Sequence, residues 1–489
     1  MVNVNNLTVD PKTTSPTMGM SSLFVPKFKQ TDLRKLHQFL VESRYVAALD
    51  LLSSLQPAQK QDLDQRLNFL KRLFLNGEGF PFDEVSHALT PLNPDLLLEA
   101  GLFQQSNDQV KALFQVQVYN GLLFIADFMP REHPADLVLP IGPSGKYLAS
   151  VTIRKPVKSA LDLGCGCGIQ ALLLAQHAGH VIATDINSRA LALTRLNADL
   201  NGITNIEILE GSYFEPVRGR TFDVIVANLP YVITPENKYI YRDISQGSDN
   251  SVKQTVQQIP SYLTEGGYAH LMLNWIHRED QPWWQPVEDW IANHNADAWL
   301  LYTNSMTPEE YSRQWILISE KDKPDEYGRI KETWLNWYKA HHIERIAFGT
   351  VTLRRRTAKD NWRCSVWVDK TASEPLGDHI LNLFESQYYL NSIKNTNDLL
   401  KKKLSPWNLK IEPLSVDYYR ASSLVGYLLQ IRIHPETALV IASLNGKISL
   451  EKAIQVSAKG QKKTFSFIQE RVISDIYQLM NYGMLSPVH

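Results

Sequence analysis

The chain has 489 residues, 44% hydrophobic and 21% charged, with 50 Lys and Arg against 51 Asp and Glu. At roughly 150 residues per domain this length implies about three domains, and a net charge of -1 excludes a global basic field of the kind that holds nucleic acid non-specifically. Cys165, Cys167 and Cys364 are too few for a disulfide framework or a four-cysteine zinc site and fit a reducing, cytoplasmic setting, and no apolar run approaches the ~20 residues of a membrane helix.

Residues 1–30 are rich in Ser, Thr, Asn and Pro and lack a basic start followed by an apolar core, which predicts a flexible leader rather than a signal peptide. Residues 31–145 read as a helical, winged-helix-like domain. Leu33, Leu36, Phe39 and Leu40 share one helix face, YVAALDLLSSL and LNFLKRLFL follow, and FDEVSHAL and NPDLLLEAGLF are shorter helices, the last capped by Asn93 with Pro94 at its first position. QVKALFQVQVYNGLLFIADF predicts two strands about a Tyr119, Asn120, Gly121 turn. PLNPDLLLEAGLF carries acids and no bases, so it argues for protein docking or a structural role rather than DNA reading. Residues 130–158, with Pro130, Pro134, Pro140, Pro143 and Pro156, read as a connector; its GPSGKY is too short for a P-loop and has Tyr147 where Ser or Thr would hold magnesium.

From Ser159 strands and helices alternate. SALDLG, HVIATD, IEILEG, FDVIVANLPY, YAHLMLNW and DAWLLYT are apolar strand runs without polar alternation, separated by helices at Ile169–Ala178, Ser188–Asn201, Val252–Leu263 and Trp284–His294. Such runs fit a sheet buried on both faces, hence a doubly wound α/β domain over 146–369. TPEEYSRQW and KDKPDEYGRIKETWLNWYKAHH interrupt it as inserted helices, and IAFGTVTLRRR is its last, antiparallel strand. Residues 370–489 form a C-terminal small α/β or winged-helix-like domain whose helix RVISDIYQLMNYGML aligns Val472, Ile476, Leu479 and Met480 before Gly483.

The chemistry concentrates between Ala160 and Tyr231. DLGCGCG sets Gly164, Gly166 and Gly168 at a strand-to-helix turn, where missing side chains let the backbone approach a ligand. Asp185 ends the next strand, 185 - 162 = 23 residues after Asp162, where a carboxylate accepts hydrogen bonds from ribose hydroxyls. The third glycine comes one residue too early for the dinucleotide fingerprint, so a nicotinamide oxidoreductase is the lesser alternative. Asn228, Leu229, Pro230 and Tyr231 close the fourth strand of the series. His341 and His342 have no partner ligands at metal spacing and read as a solvated helix end; no metal is expected.

With those motifs in that order, the segment resembles class I S-adenosylmethionine-dependent methyltransferases: DLGCGCG is similar to their first motif, TDIN to their acidic second-strand end and NLPY to their fourth. The resemblance implies S-adenosyl-L-methionine as cofactor, with Asp162, Gly164, Gly166 and Gly168 at its methionine part and Asp185 at its ribose. Ser212 stands where the family has an acid for the adenine amino group, and Tyr213 or Phe214 is placed to stack on adenine or to pack in the core.

NLPY is similar to the Asn-Pro-Pro-Tyr turn of enzymes that methylate planar nitrogens, which assigns Asn228, Leu229, Pro230 and Tyr231 to catalysis and brings Asn228 beside the cofactor. Asn-Leu-Pro-Tyr is also the form of rRNA adenine dimethyltransferases, whereas DLGCGCG and TDIN lean toward release-factor glutamine methyltransferases and their small-domain relatives. The expectation is N-methylation of an amide or amino nitrogen on a macromolecule, protein before RNA or DNA. Adenine N6-methylation and a non-catalytic cofactor-binding scaffold are the alternatives. A substrate lid is expected over Tyr239, Tyr241, Arg242 and Asp243.

Overall fold

The computed structural model describes residues 24–54, 65–129, 134, 136–236, 250–278, 280–292, 294–319, 324–358, 360–367, 371–373, 376–427 and 429–488. Most of the expected leader and the expected lid residues Tyr239, Tyr241, Arg242 and Asp243 lie outside them.

The N-terminal region runs α1 (Gln30–Glu42), α2 (Tyr45–Ser54), α3 (Gln65–Asn76), β1 (Phe80–Pro81), α4 (Phe82–Leu89), α5 (Pro94–Glu99), β2 (Phe103–Ser106), β3 (Gln109–Ala112), β4 (Phe114–Tyr119) and β5 (Leu122–Asp127). Strands β1, β3 and β2 form one small sheet in that order, and β4 and β5 pair as a separate hairpin. Asn120 and Gly121, at φ 49° and 74°, make the two-residue turn between β4 and β5, whose positive angles match the twist of paired strands. Asn93 caps α5 by accepting from the Asp95 amide, but the helix ends at Glu99, and Gly101 at φ 78° turns the chain so that Phe103 opens a strand.

The central region continues with α6 (Pro143–Val151), β6 (Val157–Leu163), α7 (Ile169–Ala175), β7 (Ala178–Asp185), α8 (Ser188–Leu200), β8 (Ile206–Glu210), β9 (Phe222–Ala227), α9 (Asn250–Tyr262), β10 (Leu263–His277), α10 (Gln285–Ile291), β11 (Ala296–Met306), α11 (Pro308–Ser319), α12 (Pro324–Ala340), β12 (Arg345–Arg355) and β13 (Arg363–Trp367). Helix α6 corrects the expectation of a bare connector: Pro143 starts it at N1, where no amide donor is needed. The eight strands order as β13-β11-β12-β10-β9-β6-β7-β8.

Strand β12 is antiparallel to both neighbours as expected, yet it sits inside the sheet between β10 and β11 rather than at its edge. Gly349 permits this, since a Cβ there would lie 2.1 Å from the Leu301 carbonyl oxygen. Strand β13, which adds parallel to β11, is only five residues long and was not expected from the sequence.

Apolar side chains cover the sheet on both faces. Val252, Val256 and Ile259 of α9, Val287 of α10 and Trp334 and Tyr338 of α12 bury against one face, while Leu148 of α6, Ala171 and Leu174 of α7 and the helix Gly377–Ser392 share a cluster with Trp299 on the other. The N-terminal core is continuous with α7 and α8 through Leu172, Leu193, Leu196 and Leu200. A further cluster includes Leu399, Ile433, Val440, Ile454, Val472, Ile476, Leu479 and Met480, and Gly483 at φ 67° follows the last helix, Phe465–Asn481. Among the described residues no helix is long and apolar enough to cross a membrane.

Candidate active site

The chain leaves β6 for β7 and β8 on one side and returns to β9 on the other, so β6 and β9 flank the switch point of the sheet. In open α/β sheets the crevice beyond the strand carboxyl ends at such a point receives the ligand. The register sets Leu163, Thr184 and Ala227 level, so the turns that leave these strands converge there.

After Leu163 the glycine turn is built from three left-handed residues, Gly164 at φ 78°, Gly166 at 55° and Gly168 at 85°. The amides of Gly164 and Cys165 both donate to the Thr184 carbonyl at 2.9 Å, pinning the turn to the end of β7. The Thr194 hydroxyl of α8 donates to the Gly166 carbonyl at 3.0 Å, and an added Cβ on Gly168 would come within 2.9 Å of the Thr194 side chain. Gly168→Ala is therefore expected to cost about 1–3 kcal/mol through strain and contact together, read as a lowered melting midpoint; an unchanged midpoint would show that the turn relaxes. Cys165 and Cys167 are buried as small packing residues, and burial pushes the Cys167 thiol up to about 12.

Asp162 lies beneath the turn, 1% exposed, and accepts from the Ala171 amide at 2.8 Å. It thereby ties the first turn of α7 to β6 and braces the glycine turn from below. Burial raises its carboxyl to about 7, against the lowering effect of the Ala171 bond. Asp185 accepts from the Gly166 amide at 2.9 Å and from the Asn187 amide at 2.9 Å; burial raises its pKa too. Two carboxylate oxygens offer about four acceptor sites, so capacity remains for ribose hydroxyls.

The Gly211 amide donates to the Asp185 carbonyl at 3.1 Å and so sets the chain after β8 beside the end of β7. Ser212 is partly buried in this loop. Tyr213 is 43% exposed with φ 46°, whereas Phe214 is buried and stacked on Tyr262 with centroids 4.2 Å apart. Of the two rings named for adenine, Phe214 is committed to the core. Ile186, directly after Asp185, is 58% exposed, an apolar side chain beside the strand-end acid that sequence reasoning passed over.

Asn228 follows β9, and among the described residues its Oδ1 is buried without a hydrogen-bond partner. Such an acceptor costs free energy when left unmade, which marks it for a donor that arrives with a ligand. Leu229 Cδ2 stands 2.9 Å from where a Gly164 Cβ would be, so the Asn-Leu-Pro-Tyr turn and the glycine turn touch. Tyr231 lies just past Pro230, and burial raises its hydroxyl pKa; its ring meets Trp315 of α11 edge-on at 6.5 Å.

The backbone behind the turn is held at both polar groups of one residue. Ile233 donates its amide to the Tyr311 hydroxyl at 3.1 Å and accepts from the Tyr338 hydroxyl at 2.8 Å. Asn274 of β10 donates to the same Tyr311 oxygen at 3.0 Å. The inserted helices α11 and α12 thus brace the turn, a role no local motif announces. His341 and His342 are exposed just beyond α12, and among the described residues no group of three His, Cys, Asp or Glu is placed to hold a metal.

Comparison with known proteins agrees with this geometry. The family described as "Methyltransferase small domain" matches residues 143–274. A release factor glutamine methyltransferase of Geobacter sulfurreducens is 28% identical over 200 residues, covering 37% of this chain and 68% of that one. The Yersinia pestis protein of the same name is 38% identical over 127 residues, 24% of this chain and 46% of that one. A ribosomal RNA small subunit methyltransferase C of Alcanivorax borkumensis is 29% identical over 122 residues, 25% of this chain and 34% of its own length. The latter two alignments span less than half of those relatives.

Proposed function

The centre of this chain is a class I S-adenosylmethionine-dependent methyltransferase domain, and from that premise we propose that the whole protein methylates a planar amide nitrogen on a protein, a glutamine side chain being the target class. The observation that carries the reading is the orphaned Asn228 Oδ1 at the switch point, in a turn that touches the glycine loop.

Three left-handed glycines, the Asp185 carboxylate and exposed Tyr213 and Ile186 fit the cofactor. The glycine turn with Asp162 beneath it takes the methionine part, Asp185 the ribose, and Ser212, Tyr213 and Ile186 the adenine. S-adenosylmethionine supplies an activated methyl on a positively charged sulfonium, so the protein has mainly to orient the acceptor. Asn228 Oδ1 and the Leu229 carbonyl accept the two N–H bonds of the target NH₂, turning its lone pair toward the methyl and stabilising the positive charge that develops on nitrogen. Pro230 fixes the turn, and Tyr231 with Trp315 supplies the aromatic wall for the flat group. The proton leaves after transfer, when the nitrogen is acidic.

The terminal regions present the partner in this reading. The order α3, β1, α4, α5, β2, β3 is that of a winged helix, and α5, PDLLLE, holds two acids and no base, which favours a protein surface over DNA. Adenine methylation in RNA or DNA remains the second reading; the Alcanivorax borkumensis relative, named for ribosomal RNA, supports an RNA substrate without giving the base. Labelling a cell lysate with tritiated S-adenosylmethionine and the purified chain decides between them. Label that survives nuclease and is lost to protease supports protein; label lost to nuclease overturns it in favour of nucleic acid.

Asp162 also predicts a pH response. A cation nearby favours the ionised carboxylate, so cofactor affinity is expected to rise from pH 6 to pH 8 as the group with pKa about 7 gives up its proton, by several-fold over that range. Without ligand the sign reverses. The folded pKa lies above the ordinary 3.8, so this group's stability contribution is full below that value and is lost as pH rises through about 7. Calorimetric titrations at several pH values check this, and a flat profile would remove Asp162 from the binding site.

A further inference from the structure

Helix α8 turns two asparagines, four residues apart, toward strand β5. Asn201 Oδ1 accepts from the Leu123 amide at 2.9 Å while its Nδ2 donates to the Leu123 carbonyl at 2.7 Å. Asn197 repeats the pattern on Ile125, at 2.7 Å and 3.0 Å. Four residues of helix rise about 6 Å and two residues of strand about 6.8 Å, so the two side chains match the strand repeat. They stand in for a neighbouring strand and satisfy one edge of the hairpin.

Asn201 Nδ2 places its second hydrogen on the Asn197 carbonyl at 2.7 Å, at the end of its own helix, whereas Asn197 sends its second one out of the helix. Its Nδ2 also donates to the Cys167 carbonyl at 2.9 Å, inside the glycine turn. An amide nitrogen has two hydrogens, and these are divided between the hairpin carbonyl and the loop carbonyl. Cys167 lies between Gly166 and Gly168, both left-handed, so the direction of its carbonyl fixes the peptide plane joining it to Gly168. The hairpin sets the Asn197 amide plane, and that plane sets the loop.

We propose that Asn197 is a positioning residue for the cofactor loop, and that through it the β4–β5 hairpin tunes the affinity for S-adenosylmethionine. The inference rests on the assignment of the glycine turn to that cofactor and deepens it, because the hairpin belongs to the region assigned above to partner presentation. Coupling of this kind is reciprocal: cofactor binding must tighten the hairpin at Ile125 by the same factor that the hairpin tightens the cofactor.

The test uses the full chain and S-adenosylhomocysteine in calorimetry. Asn197→Ala is expected to raise Kd about tenfold. Asn201→Ala cuts the other clamp on the hairpin and a bond to the Asn197 carbonyl but removes no bond to the loop, and is expected to lower the melting midpoint while moving Kd by less than about twofold. Equal weakening by both variants, or no weakening by Asn197→Ala, overturns the proposal. Hydrogen exchange on the unmodified chain reads the same coupling should Asn197→Ala fail to fold. Protection of the Ile125 amide should rise with ligand severalfold more than that of Leu123, and equal changes overturn it. Absence of S-adenosylhomocysteine binding by the unmodified chain would instead sink the cofactor assignment itself.

Discussion

Asn228→Ala is expected to lower methyl transfer by about 10²–10³-fold, the loss seen when one preorganised group facing a developing charge is removed, while the Kd for S-adenosylmethionine stays within a few fold. The two effects separate because the atom removed is buried with no partner among the described residues, in a turn that meets the glycine turn through Leu229. No described residue hydrogen-bonds Oδ1 in the free protein, so its removal relieves an unsatisfied acceptor and is expected to leave stability unchanged or slightly higher. In the reacting complex one N–H of the target would lose its acceptor and the lone pair its orientation. Single-turnover transfer beside equilibrium binding checks this. Unchanged turnover would take Asn228 out of catalysis, and loss of binding equal to the loss of rate would make it a cofactor contact only.

Asp127→Ala is expected to destabilise the chain by about 3–5 kcal/mol, the range for an ion pair broken inside a protein. The Arg189 guanidinium forks onto both Asp127 oxygens, with side chains 5% and 6% exposed. Arg189 also donates to the carbonyls of Phe24 and Asp136 at 3.1 Å and 3.3 Å, and Asp127 accepts from the Val138 amide at 2.8 Å. Removing the carboxylate leaves a buried cation held only by neutral acceptors. The double replacement Asp127→Leu with Arg189→Met should recover much of the loss, because two apolar side chains of similar size carry no uncompensated charge. Denaturant midpoints of the single and double variants measure this; a loss below about 1 kcal/mol for Asp127→Ala would show that water reaches the site.

The features legible in the sequence were the local ones. Three glycines in five residues, an acid at the end of the next strand and Asn-Leu-Pro-Tyr after the fourth are each fixed by a few neighbours, and the sheet brings their strand ends level. The alternating apolar strands foretold the layers but not the place of β12, because strand order depends on where a chain returns and not on its composition. Helix α6 was hidden by prolines that read as breakers, although Pro143 at its first position is a starter. The braces were hidden by distance: Tyr338 meets Ile233 across 105 residues and Asn197 meets Ile125 across 72, and no window of sequence spans such a pair. Phe214 shows the remaining limit, since an aromatic beside a ligand loop looks the same in sequence whether it faces the ligand or, as here, Tyr262.

The grip on Ile233 also bears on how the protein is made. Gly164, Asp185 and Asn228 leave the ribosome well before Tyr338, which comes 105 residues after Ile233. At 5–20 residues per second that interval lasts roughly 5–20 s. Tyr311, 78 residues after Ile233, is made first, and until Tyr338 follows, the backbone behind the Asn-Leu-Pro-Tyr turn lacks one or both of its tyrosine hydroxyls. The glycine turn and Asp185 are therefore synthesised well before the tyrosines that brace the reaction turn, and the bracing waits for the inserted helices to dock.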